Sequence, residues 1–212
     1  MKSLLTPIAI LIATGTLSAQ QPRVGIALNI TAPVGTFQST TGQDVDNQGH
    51  PISVKSGYDM GIGGQVTLSI PLDPKVAIRL GLSGHSMNGS NTSPGLSKIN
   101  LRHSMFSLGA DLQLFTDSAY RHRGTYFLAG LSADFERFDR SFDDIGSLWA
   151  DVNTERKSRL GGTIGIGHTF GFDAGTRFTL EAAYHSTLSD RDSDPLYTPR
   201  NQFVRVGFGW VF

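Results

Sequence analysis

Cysteine is absent from the 212 residues. That excludes a disulfide framework and a thiolate metal centre, and no cysteine is present to carry a lipid anchor. Charge is scarce and balanced: 17% of residues are charged, and 18 of each sign cancel. A nucleic-acid surface is not expected, because it would show as a basic excess. Beyond residue 19 no segment has the ~18 unbroken apolar residues that a membrane-crossing helix needs. The 39% hydrophobic share also argues against a disordered chain. What is abundant is glycine, with 25 residues, and it falls in a pattern.

The first residues read as a separate region. Met1-Lys2 is positive, Leu4 to Ala13 is apolar, and a mostly small stretch ends at Ser18-Ala19. This order predicts a secretory signal peptide over 1–19, cut after Ala19, with Ser18 the second choice. One exported domain over 20–212 remains.

That domain alternates. In Gln202 to Phe212, Val204, Val206, Phe208, Trp210 and Phe212 share one face, while Arg205, Gly207 and Gly209 share the other. A period of two is a β-strand. A soluble strand would carry Lys, Glu or Thr on its polar face; two glycines there point instead to a cramped interior, with the bulky face turned to lipid. Seven further segments behave alike: Val24 to Ala32, Tyr58 to Ile70, Val76 to His85, His103 to Leu114, Thr125 to Phe138, Leu160 to Phe170, and Arg177 to His185. Every charge in their central parts lies on the Gly/Ser/Thr face. A charge facing lipid at mid-depth costs roughly 2–4 kcal/mol, so a membrane barrel requires this segregation. Strands that cross a bilayer must close so that no backbone edge meets lipid.

The connections alternate in length. Pro33 to Gly57, Asn88 to Lys98, Asp139 to Ser158 and Thr187 to Asn201 are long; Pro71 to Pro74, Thr116 to Gly124 and Gly171 to Gly175 are shorter. Short periplasmic turns and long extracellular loops give this rhythm. Thr116 to Gly124 is longer than a tight turn needs. The expected fold is all-β, an eight-stranded antiparallel up-and-down transmembrane barrel.

On the strand count, the alternation and the terminal Phe212, the chain resembles the small eight-stranded OmpA/OmpX-like superfamily of outer-membrane β-barrel proteins. The resemblance implies a bacterial outer-membrane location; because eight strands leave an interior only just filled by side chains, the leading functional reading is a surface-exposed, non-enzymatic scaffold. The resemblance also implies that Phe208, Trp210 and Phe212 act as the signal read by the barrel-assembly machinery. Outer-membrane lipids and lipopolysaccharide are the surrounding partners, an extracellular partner is left unidentified, and the barrel is expected to be a monomer without cofactor. Two alternatives stand beside this reading: a barrel that passes small or hydrophobic molecules, and a lipid A-modifying hydrolase.

Candidate sites are few. His85-Ser86, His103-Ser104 and His185-Ser186 place their side chains on opposite faces of an extended strand, so none is a nucleophile–base pair by itself. The lipid A deacylase barrels carry His-x-Ser, which is missing here; His185 with Thr187 comes nearest, which makes His185 the base of any esterase. Asp44-x-Asp46-Asn47-x-Gly49 begins like a calcium loop, but Lys55 stands where the liganding Glu belongs. Asp190, Asp192 and Asp194 alternate in the last long loop. No metal site is expected from either group. Phe115, Phe127, Phe170, Phe178, Trp210 and Phe212 are expected in one aromatic girdle, and Tyr58, Phe135, Phe138 and Tyr184 in the other. Trp149, with Phe142, Ile145 and Leu148, forms an apolar group in the third long loop.

Six inward charges remain. Symmetric hairpins would set Arg79 across from Asp111, Glu136 across from Arg159, and Glu181 across from Arg205, making a salt-bridged plug. His85 and His103 would be diagonal neighbours above the first pair.

Overall fold

The computed structural model describes residues 22–45, 50–92, 99–142, 153–171, 177–189 and 199–212. Among these residues ten strands form one antiparallel sheet: β1 (Arg23–Pro33), β2 (Thr40–Val45), β3 (Pro51–Tyr58), β4 (Gly61–Asp73), β5 (Val76–Thr92), β6 (Ile99–Phe115), β7 (Gly124–Phe142), β8 (Asn153–Gly171), β9 (Arg177–Thr187) and β10 (Gln202–Val211). Eight of them close into a barrel in the order β1-β4-β5-β6-β7-β8-β9-β10, with β10 returning to β1. The alternation decides which side faces out. Ile26, Leu131 and Ile164 are 51%, 58% and 62% exposed, whereas Arg79, Asp134 and Glu181 are at most 4% exposed. Burial is thus inverted relative to a water-soluble protein: the apolar face is outside and the charges are inside.

The first long connection is not the single loop expected. It holds a 3-10 turn at Gly35–Phe37 and the hairpin β2–β3. The hairpin extends the sheet past the barrel, pairing Lys55 with Thr92 and Tyr58 with Gly89. β4 pairs with β5 only as far as Ser86, which leaves the upper edge of β5 for β3. The sequence signal of this hairpin is short: in β3 Ile52, Val54 and Tyr58 alternate with Ser53, Lys55 and Gly57, while β2 has no apolar alternation to match it. The β5–β6 and β7–β8 hairpins likewise run beyond the expected strand ends, to Asn91–Ile99 and Arg140–Asn153.

Three aromatics are not in the girdles. Tyr58, Phe138 and Phe115 are 4%, 2% and 3% exposed. Phe138 shares the face of Asp134 and Glu136, and Phe115 that of Asp111 and Gln113, so strand parity turns both inward. Tyr58 ends β3, which lies outside the barrel wall. Phe37 stacks on Tyr58 with ring centroids 4.7 Å apart. Together with Met87, Ile99, Leu101 and Phe138 they form an apolar cap at the long-loop end.

The surplus in Thr116 to Gly124 closes the opposite end. Ser118 and Arg123 form a bridge, and Ala119 N–H donates to the Pro74 carbonyl at 2.7 Å. Ala119 and His122 are thereby buried beneath Phe115 and Tyr126. His122 adopts a left-handed φ of 45°, and its Nδ1 lies 3.4 Å from Thr169 Oγ1.

Burial, reinforced by the charge of Arg79, pushes the His122 imidazole down to about 4 from its ordinary 6.5. A base with a depressed folded value costs stability wherever the unfolded chain takes up the proton and the folded chain does not. Stability should therefore fall as pH drops from about 6.5 toward 4, and be whole above that window. His122→Asn, which tolerates the left-handed backbone, should flatten this slope. Melting temperatures of the two proteins across pH 4 to 7 check it; parallel curves would refute it.

Candidate functional site

The lumen is where the chemistry-bearing side chains converge. Its centre is Glu181 on β9. Arg79 reaches it from β5: Nη1 donates to Oε2, and Nη2 donates to Oε1 at 3.3 Å. The Tyr126 hydroxyl donates to Oε2 at 2.8 Å, and Arg205 Nη2 donates to Oε1 at 3.3 Å. Arg79 is shared with Asp111, whose Oδ2 accepts from Nε at 2.9 Å and from Nη2 at 2.7 Å. Two cations and two anions thus neutralise one another across the barrel.

A second layer centres on Asp134. Ser107 and Ser132 hydroxyls donate to its Oδ1 at 2.7 and 2.8 Å, and His185 Nε2 lies 3.0 Å from its Oδ2. The other ring nitrogen of His185 lies 3.0 Å from Thr163 Oγ1. A third layer pairs Glu136 with Arg159 at 3.3 Å. Asn201 Nδ2 donates to Glu136 at 2.8 Å, and Arg159 Nη1 donates to the Pro199 carbonyl at 3.0 Å. Above it His103 and His85 have ring centroids 5.4 Å apart, under the apolar cap.

All three expected charge pairs are in contact, but only one stands in the expected register. Arg79 is directly across from Asp111. Glu136 is across from Lys157, and Arg159 from Asp134; Glu181 is across from Gly207, and Arg205 from Ala183. Both hairpins are shifted by two residues from the symmetric register. The long side chains still meet diagonally, because such neighbours lie about 7–8 Å apart. The links from Arg79 and Tyr126 to Glu181, and from His185 to Asp134, escape hairpin reasoning. They join strands that are not adjacent.

Thr163, His185 and Asp134 have the order of a nucleophile, base and orienting acid. His185 and Asp134 are 5% and 0% exposed, inside the barrel wall. Thr187, the expected partner of His185, instead accepts from the Asn201 backbone N–H at 3.1 Å. Among the described residues no group of three His, Asp or Glu side chains is placed to hold a metal ion. Asp46, Asp190, Asp192, Asp194 and Trp149 lie outside the described residues, as does the side chain of Asp44.

Phe208, Trp210 and Phe212 face outward, 38%, 44% and 57% exposed. The Phe212 backbone N–H donates to the Val24 carbonyl at 2.9 Å, so the last residue helps close the barrel.

An inverted, closed eight-stranded barrel with its charges paired inside defines a membrane-spanning β-barrel. Residues 5–212 match the family described as outer membrane protein beta-barrel domain, and the chain belongs to that family. Its fold is similar to that of Ail, the attachment invasion locus protein of Yersinia pestis, in its complex with the heparin analogue sucrose octasulfate. Identity there is 13% and the TM-score 0.52, over 91% of this chain and 99% of that one. OprG from Pseudomonas aeruginosa is 12% identical, with a TM-score of 0.46 over 92% and 96% of the two chains. Neisserial surface protein A is 12% identical, with a TM-score of 0.42 over 90% and 94%. No curated protein matches the chain.

Removing one partner of a buried ion pair costs roughly 3–5 kcal/mol, because the remaining charge is left uncompensated. Glu181→Gln leaves Arg79 with Asp111 alone and Arg205 without its carboxylate. It should lower folded stability by about that amount, read as a reduced urea midpoint of the heat-modifiable band on unheated gels. An unchanged midpoint would mean that lumen water, not Glu181, solvates the two arginines.

Proposed function

We propose that the protein is a closed, non-enzymatic scaffold of the outer membrane that carries a β-sheet platform into the extracellular space. The observation behind this reading is the filled lumen. Two cavities of about 30 and 40 Å³ lie in it, both lined by Arg79. Each has room for no more than a few waters. Above the membrane band, β2-β3-β5-β6-β7-β8 continue as an open sheet, the surface available to an extracellular partner. In this reading residues 1–19 direct export and are removed, and outer-membrane lipid surrounds a monomeric barrel.

The hydrolase alternative draws on Thr163, His185 and Asp134. Their burial in the lumen, away from the lipid face, weighs against it. The purified protein in planar bilayers should give no steady conductance, and lipid A incubated with it should release no fatty acid. A porin-sized current would replace the scaffold with a channel; fatty-acid release abolished by His185→Ala would replace it with a hydrolase.

Assembly depends, in the same reading, on the outward aromatics Phe208, Trp210 and Phe212. Deleting Phe212 should reduce the folded band in whole-cell membranes several-fold while leaving in vitro refolding into detergent intact. Equal loss in both settings would make Phe212 a packing residue and not a recognition signal.

A further inference from the structure

The outward face of β6, β7 and β8 changes chemistry where the apolar band ends. Phe106, Phe135 and Leu160, each 49% exposed, are the last apolar side chains there. Beyond them come exposed Arg102, Arg137 and Arg156. The register sets Arg137 directly across from Arg156, and Arg102 across from Asp139. Like charges directly opposite on a strand pair repel. Asp139 is the one outward carboxylate among the described residues of this patch. It accepts from Arg137 Nε at 2.9 Å and from Thr154 Oγ1 at 2.7 Å. Arg102, across from that acid, donates from Nε to the Ser86 hydroxyl at 3.4 Å. Three guanidiniums therefore share one acid, at the height where headgroups of the outer leaflet begin. A multi-oxygen anion seated between Arg137 and Arg156 would turn their repulsion into two charge-assisted contacts.

The same strand pair is indented lower down. Ala129, Leu131, Gly162 and Ile164 line an apolar groove on the lipid side, bordered by Tyr184 and Leu188. Gly162 stands across from Leu131, and a side chain there would meet Leu188 at 3.3 Å. From Arg156 to Gly162 is six residues of strand, about 20 Å, the span of a long acyl chain.

We propose that Arg102, Arg137 and Arg156 hold the phosphates of an acylated, phosphorylated glycolipid of the outer leaflet, of the lipid A type, with one acyl chain in the groove over Gly162. The lipid would be a fixed part of the assembled protein and would anchor the base of the extracellular sheet. This proposal rests on the long hairpins facing outward and not on the scaffold reading, so a channel or hydrolase result leaves it intact.

The test uses the full chain refolded in uncharged detergent and titrated with bisphosphorylated lipid A, with the same lipid dephosphorylated, and with inorganic phosphate. The bisphosphorylated lipid should bind at least tenfold more tightly than the dephosphorylated one, and millimolar phosphate should not displace it. Arg137→Gln with Arg156→Gln should erase that preference, and Gly162→Leu should weaken binding several-fold with the phosphate preference retained. Unchanged binding by the arginine double variant overturns the proposal. So does equal competition by inorganic phosphate, which would mean a free-anion site. If the double variant gives no heat-modifiable band, Arg156→Gln alone must weaken binding at least threefold while Arg156→Lys does not.

Discussion

A charge enclosed by eight strands has little water to solvate it, and this governs the interior. Desolvating an ion costs several kcal/mol, which only a close counter-charge and well-placed hydrogen bonds repay. Glu181 meets that demand for two arginines at once, and Asp111 shares one of them. Glu136 answers Arg159 in a higher layer. The glycine content follows from the same demand. A Cβ on Gly130 would strike Asp111, one on Gly161 would strike Asp134 and His185, and one on Gly167 would strike Tyr126. The lumen has room for its ionic side chains only because the strands beside them have none.

Much of this was legible in the residues. Period-two alternation reported the wall strands and the side each residue faces, because lipid outside and charge inside are opposite solvents with no intermediate. Strand ends were less legible. β5 to β8 outrun the apolar band, and above it both faces meet water or other protein, so alternation fades. The same loss hid β2, and left β3 with only the short alternation of Ile52, Val54 and Tyr58. Phe115 and Phe138 are instructive in another way: their depth in the membrane suits a girdle, but their parity with Asp111 and Glu136 turns them inward. Parity is set by the pleat and wins.

Register was legible only in part, because a symmetric midpoint assumes that the loop is shared equally between its two strands. β5–β6 satisfies this, and Arg79 meets Asp111 directly. β7–β8 and β9–β10 are offset by two residues, a shift that preserves the facing of every side chain. The cross-lumen contacts follow from closure, not from register. In an eight-stranded ring the fourth strand along is diametrically opposite, and β9 stands in that relation to β5. Arg79 and Glu181, 102 residues apart, therefore meet across the full width of the barrel. Strand count and facing together contain this pair; neither contains it alone.

The two faces of one wall treat arginine in opposite ways. Inside, each arginine of the central layers is matched by a carboxylate, since nothing else can enter to compensate it. Outside, above the lipid edge, Arg102, Arg137 and Arg156 outnumber Asp139. There an excess is tolerated, because water, salt and the anionic headgroups of the leaflet are available. An unmatched cation inside would be a folding defect; the same residue one pleat away is an offer to a ligand. The division between interior pairing and exterior surplus is drawn by the alternation itself, so a shift of one residue in any of these strands would exchange the two roles. The barrel's stability and whatever it binds at its rim are therefore set by the same period of two.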